Sequence, residues 1–181
     1  MLGMVFTEFM EMVETRFSPE LLDRVIERAA PPNAGAYTAV GYYPHEEMVA
    51  LVVALSEESG IATGTLVEAF GQHLFSTFTR RYSEVVGARR GTIDLLANLD
   101  GDIHVSVRKL YPDAQLPRFH VVERTPESIT LAYQSPRGME ALAQGLIAGS
   151  IAHFNEPLRV DWTPGAFDGH PASIFHVRAA A

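Results

Sequence analysis

Tyr133, Ser135 and Arg137 form the most informative set of polar residues in this chain. Side chains two apart on a strand project to the same side, so a phenol, a hydroxyl and a guanidinium would share one space. All three donate hydrogen bonds, and Arg adds a fixed positive charge with a planar fork that matches carboxylates. The set suits a ligand bearing one or two carboxylates. It does not suit proton abstraction, because none of the three is a base near neutral pH. A half-exposed strand with a polar outer face would show the same alternation. Pro136, inside the set, implies a strand end or edge and so the mouth of a cleft.

His104 is the second candidate. On a helix it falls near one face with Ile93, Ala97, Val107 and Tyr111. A histidine in that setting is either a core residue bonded to a carbonyl or carboxylate, or an axial metal ligand. Neutral imidazole is the commonest such ligand, and a globin-type site needs only one. The remaining histidines, from a total of 7, show no metal spacing: there is no HExxH and no pair at i, i+4. With 0 Cys, the chain has no disulfides, thiolate metal sites, iron–sulfur clusters or cysteine nucleophiles. GxGxxG, P-loop and GxSxG motifs are absent, and Ser150 with nearby His153 lacks a placed acid.

The elements that must hold these residues read as follows. Phe6, Phe9, Met10, Val13 and Phe17 make a helical stripe. Ser18-Pro19-Glu20 opens a second helix that runs to about residue 30 and stops at Pro31-Pro32. A third helix is predicted over 45–59 with Gly60 as its cap, and a capping box at Thr65 and Glu68 predicts a fourth, to about residue 82. Thr92 is expected to cap a helix continuing through His104 to about Tyr111, with a kink or break at Gly101. After Pro117, strands over 119–124 and 129–135 flank the turn Thr125-Pro126-Glu127-Ser128. A helix over 139–154 and two short strands, 158–162 and 173–178, complete the chain. The expected fold class is α+β: a single domain over 1–181, with a helical lobe (1–112) packed on a lobe of antiparallel sheet and helices (113–181).

Composition narrows the function. The chain has 181 residues, 47% apolar and 20% charged, which is ordinary for one globular domain. A net charge of −8 argues against a nucleic-acid surface, and Arg89-Arg90 is a short doublet, not a stripe. The start carries Glu8, Glu11 and Glu14, unlike a signal peptide. The longest apolar run, 48–55, is too short to span a bilayer. A cytoplasmic, membrane-free protein is the expectation.

The run Tyr133-Gln134-Ser135-Pro136-Arg137 matches the YxSxR motif of the heme nitric oxide/oxygen-binding (H-NOX) family. The segments MLGMVFTEF, GQHLFSTF, IHVSVRKLYPDAQLPRF and LAYQSPRGMEALAQGLIAGS agree in order and spacing, and the resemblance covers essentially the whole chain. The chain thus resembles a stand-alone bacterial H-NOX protein, related to the heme domain of soluble guanylate cyclase. That resemblance implies a heme b held between the two lobes. His104 matches the ligand to its iron, and Tyr133, Ser135 and Arg137 match the clamp on its propionates. Pro117 matches the proline that presses on the porphyrin. Val5, Leu74, Phe78, Leu142 and Leu146 match positions lining the heme. Where O2-holding members carry a distal Tyr, this chain has Leu142, and no Tyr follows Tyr133. The implied function is a non-enzymatic sensor of NO that also binds CO, holds O2 poorly, and signals through weakening of the iron–His104 bond to a separate histidine kinase or cyclic-di-GMP enzyme. Gln72 or His73 would alter that selectivity if either reached the pocket. Two other readings use the same residues: a heme-free module for an apolar carboxylate such as a fatty acid, and a heme peroxidase or oxygenase. The second is disfavoured by the lack of a distal acid–base group.

Overall fold

The computed structural model describes residues 1–180. The chain begins with four helices, α1 (Gly3–Arg16), α2 (Pro19–Ala29), α3 (His45–Ser59) and α4 (Thr63–Arg81). Two short helices follow, α5 (Ser83–Gly87) and α6 (Thr92–Ala97); then come a π-helical turn over Leu99–Ile103 and α7 (His104–Leu110). The remainder is β1 (Arg118–Arg124), β2 (Ile129–Gln134), α8 (Glu140–His153), β3 (Leu158–Phe167) and β4 (His170–Ala179). The α+β class is thus the one the sequence predicts.

Local chemistry explains most boundaries. Ser18 caps α2 by accepting the Leu21 N–H at 3.1 Å, with Pro19 in the first turn, an arrangement worth about 1 kcal/mol. Gly60 ends α3 in the left-handed region, as expected. The α4 start differs from the sequence reading. Leu66 N–H already finds the Ala62 carbonyl at 3.1 Å, so the helix opens at Thr63 and no side chain caps it. The expected long helix through His104 is three pieces: α6 stops before Asn98, and Gly101 sits inside the π turn, which runs directly into α7. Gly91, not Thr92, occupies the N-cap of α6.

The four strands form one antiparallel sheet in the order β1-β2-β4-β3. β3 and β4 are much longer than predicted, pairing from Leu158↔Ala179 to Phe167↔His170. Their tip is Asp168-Gly169, with φ of 50° and 76°. A two-residue turn with both φ positive matches the twist of the strands, and Asp-Gly adopts it at low cost. That signal is present in the sequence, but Pro164 and Gly165 mask it by interrupting the run; both are tolerated because β3 is an edge strand.

Two apolar cores result. The first packs α1, α2, α3 and α4 around Phe6, Phe9, Leu51, Leu55 and Phe70. The second packs the sheet residues Ile129, Leu131, Phe175 and Val177 against Leu95, Leu96, Ile147 and Phe75. Helix α4 feeds both, through Leu74 and Phe75 respectively, and Leu146 of α8 touches both. The two helices cross backbone to backbone. A Cβ on Gly71 would meet the Leu142 carbonyl at 2.6 Å, and one on Gly145 would strike the Glu68 carbonyl. Only glycine permits that approach.

Among the described residues no single helix is long and apolar enough to cross a membrane. α3 and α4 reach that length only as a pair bent by 114°, and Leu51, Leu55, Leu66 and Phe70 of that pair are core residues.

Candidate functional site

His104 opens α7 directly after the π turn and is 9% exposed. Its Nδ1 lies 2.5 Å from Oδ1 of Asp100. A carboxylate accepts, so Nδ1 carries the hydrogen. The other Asp100 oxygen accepts the Phe119 N–H of β1 at 3.0 Å. The sequence reading missed Asp100, although its place four residues before His104 is a legible signal for a shared helical face. Burial pushes the His104 pKa down, and the Asp100 hydrogen bond opposes that. The ring is therefore neutral at pH 7, with the Nε2 lone pair free. Among the described residues no hydrogen bond engages Nε2.

Tyr133 is buried in β2, opposite Phe119 on β1 and Ser173 on β4. Its ring lies 5.0 Å from that of Phe119, which in turn lies 6.2 Å from the imidazole of His104. β2 ends at Gln134, so strand alternation does not carry Ser135 and Arg137 to the same side as Tyr133. A turn does the work instead. Ser135 Oγ accepts the Arg137 N–H at 3.2 Å. Burial raises the Tyr133 pKa, and hydrogen bonding to Ser135 pulls it the other way. The turn, not strand alternation, therefore sets where Ser135 and Arg137 lie relative to Tyr133. Arg137 donates to the carbonyl and side-chain oxygens of Gln115, at 3.1 and 2.7 Å. Both acceptors are neutral, and among the described residues no carboxylate pairs with this guanidinium.

Leu74 is buried on α4, while Phe78, Val5, Leu142 and Leu146 are half-buried at the edge of the first core. Pro117 is half-buried in the extended segment before β1. Gln72 is exposed. His73 turns toward α1: its Nε2 is 3.6 Å from Oε2 of the buried Glu8 and has no hydrogen-bond partner. Glu8 accepts instead from Thr77 Oγ1 at 2.7 Å.

A buried histidine with a free Nε2, a guanidinium without a carboxylate partner among the described residues, and half-buried apolar side chains on the first core are the features that comparison with known proteins puts in context. The profile of the haem-NO-binding family matches residues 2–162. The chain belongs to that family. Solved H-NOX structures superpose along its whole length. The unliganded Fe(II) protein from K. algicida is 33% identical, with a TM-score of 0.88 over 100% of this chain and 97% of that one. The H-NOX from Shewanella woodyi, solved in its Fe(II)CO state with IWP-051 bound, is 39% identical, with a TM-score of 0.84 over 99% and 95%. The Fe(II)NO protein from S. oneidensis, at 24% identity, shares the fold, with a TM-score of 0.86 over 100% of both chains. No curated protein matches the chain.

Heme is the cofactor of the haem-NO-binding family, and the residues of this H-NOX chain fit it. A ferrous iron needs a neutral imidazole with a free nitrogen, and His104 offers Nε2. Two propionates need donors and positive charge, and Tyr133, Ser135 and Arg137 supply both. The flat apolar macrocycle needs apolar contacts, and Val5, Phe78, Leu142 and Leu146 leave apolar surface uncovered.

Proposed function

We propose that this protein is a sensor of nitric oxide that also binds CO, holds O2 poorly and signals to a separate protein. Heme b, held by His104 through Nε2 and by Tyr133, Ser135 and Arg137 at its propionates, would supply the ferrous iron to which the gas binds. The observation that supports the selectivity is that Leu74, in the first core, and Val5, Phe78, Leu142 and Leu146, half-buried against it, are all apolar. Bound O2 gathers negative charge and is retained by a hydrogen-bond donor, whereas NO and CO need one much less. The two polar side chains nearest Leu74 in sequence support the same reading: Gln72 is exposed, and His73 faces Glu8.

The chain's own parts divide the task. His104 holds its lone pair outward because Nδ1 is engaged. The turn after β2 presents the clamp. Pro117 ends the segment between α7 and β1, so displacement of His104 would be passed to the sheet through that seam, and the bond from His104 to the iron would be the two-state element that ligand binding biases. The partner is a histidine kinase or a cyclic-di-GMP enzyme, and the protein acts in the cytoplasm without catalysis of its own. An apolar wall without an acid–base pair supports the non-enzymatic reading over a peroxidase.

The test is the absorption spectrum of heme-loaded protein, reduced and then exposed in turn to NO, CO and O2. New Soret bands are expected with NO and CO, and no stable oxy spectrum in air. A persistent oxy form overturns the selectivity; failure to take up heme overturns the reading as a whole and favours the module for an apolar carboxylate.

A further inference from the structure

We propose that Asp100 is a positioning residue that fixes the orientation and donor strength of His104 and ties both to the first strand of the sheet. The inference rests on the reading of His104 as the iron ligand. The carboxylate is committed at both ends, Oδ1 to His104 Nδ1 at 2.5 Å and Oδ2 to the Phe119 N–H at 3.0 Å. It cannot rotate without breaking both bonds.

Three consequences follow from that geometry. The first concerns the tautomer: an Nδ1 hydrogen directed at a carboxylate leaves Nε2 as the only lone pair, so the ring binds through one nitrogen. The second concerns strength. A carboxylate accepting the Nδ1 hydrogen enriches the ring in electron density and makes Nε2 the better donor; such partners are typically worth 10–100-fold in metal affinity. Asp100 would therefore oppose release of His104 from the iron and set how readily gas binding achieves it. The third concerns output. Phe119 pairs with Tyr133, and its ring neighbours those of both Tyr133 and His104. Movement of His104 pulls Asp100, and Asp100 pulls the backbone of β1, which is an edge strand.

The π turn makes the arrangement possible. The Asp102 N–H bonds Asn98 O at 3.0 Å, the Ile103 N–H reaches the same oxygen at 3.5 Å, and the His104 N–H reaches back five residues to Leu99 O. That one-residue widening separates α6 from α7 and lets Asp100 face β1 and His104 together. Such widened turns occur disproportionately at functional positions.

The experiment is resonance Raman of reduced, unliganded heme protein, reading the iron–histidine stretch in wild type, Asp100→Asn, Asp100→Ala and Asp100→Glu. Asn retains the size but has one oxygen, so it cannot accept from both Nδ1–H and Phe119 N–H. The band is expected to fall to lower frequency in Asn and Ala, and to recover in part with Glu. The NO-bound Soret should shift further toward the form lacking the histidine bond in Asn and Ala. An unchanged frequency across the four proteins overturns the inference, as does a Glu variant no higher than Asn. His104→Gly separates this from the underlying reading: if the band survives in that variant, His104 is not the ligand and the reading itself fails. Should Asp100→Ala not fold, the Asn and Glu proteins carry the test.

Discussion

His104 and His73 are the same residue type at nearly equal side-chain exposure, 11% and 13%, and each faces a carboxylate. Burial lowers the pKa of both, and the carboxylate raises each in opposition. Yet Asp100 touches its imidazole at 2.5 Å, whereas Glu8 stands off at 3.6 Å. The difference lies in prior commitments. Asp100 is four residues from His104 on one continuous stretch of helical backbone, and β1 completes its coordination. Glu8 reaches His73 only across the α1–α4 interface, and Thr77 already holds it at 2.7 Å. A histidine in a fold becomes a candidate ligand when one nitrogen is saturated and the other is left free; burial beside a carboxylate is insufficient.

The largest test of this contrast is a pair of substitutions. His104→Leu should abolish the iron–histidine stretch of the reduced heme protein, and His73→Leu should leave its frequency unchanged. A shift in the His73 variant would place that ring in the pocket and undo the distinction. Next in size is Thr77→Val. It removes the hydroxyl that satisfies the buried Glu8, at a cost of about 1.5–3 kcal/mol for a hydrogen bond to a charged group, measurable as a lower urea midpoint. With Thr77 gone, Glu8 is free to turn to His73, so the His73 titration should move upward in NMR. No upward movement would mean that helix packing, not Thr77, keeps the pair apart.

The smallest effect concerns acid stability. Burial holds the His73 pKa below its ordinary 6.5. As pH falls, the unfolded chain therefore takes up the proton first. The stabilisation from this residue is complete above pH 6.5 and is lost below it, until the folded-state pKa is passed. His73→Gln should flatten that part of the acid limb in pH-dependent denaturant melts. An unaltered limb would show that Glu8 compensates fully for burial.

Several elements were legible before the fold was known because their causes are local. Ser18-Pro19 writes its own helix start, Gly60 its own stop, and the turn around Pro126 its own hairpin. Helix α4 was misplaced at its start because the cap competed with a backbone hydrogen bond that no side-chain pattern announces. The β3–β4 hairpin was drawn too short because Pro164 and Gly165 read as breakers, and only an edge position excuses them. Within the site, the types and order of His104, Tyr133, Ser135 and Arg137 were plain from the sequence. The turn bonded through Ser135, which replaces the expected strand alternation at Ser135 and Arg137, was not.

Sequence alone determined the α+β class, the absence of thiol chemistry, the family and the residues suited to an iron and to two carboxylates, since these depend on residue type and short-range spacing. Tertiary structure decided which histidine has one ring nitrogen engaged by a carboxylate, that Asp100 links His104 of α7 to β1, and that Arg137 meets no carboxylate among the described residues. Those outcomes depend on which backbone segments come within 3 Å of one another, and that is settled by the packing of two cores around the glycine crossing of α4 and α8, not by neighbours along the chain.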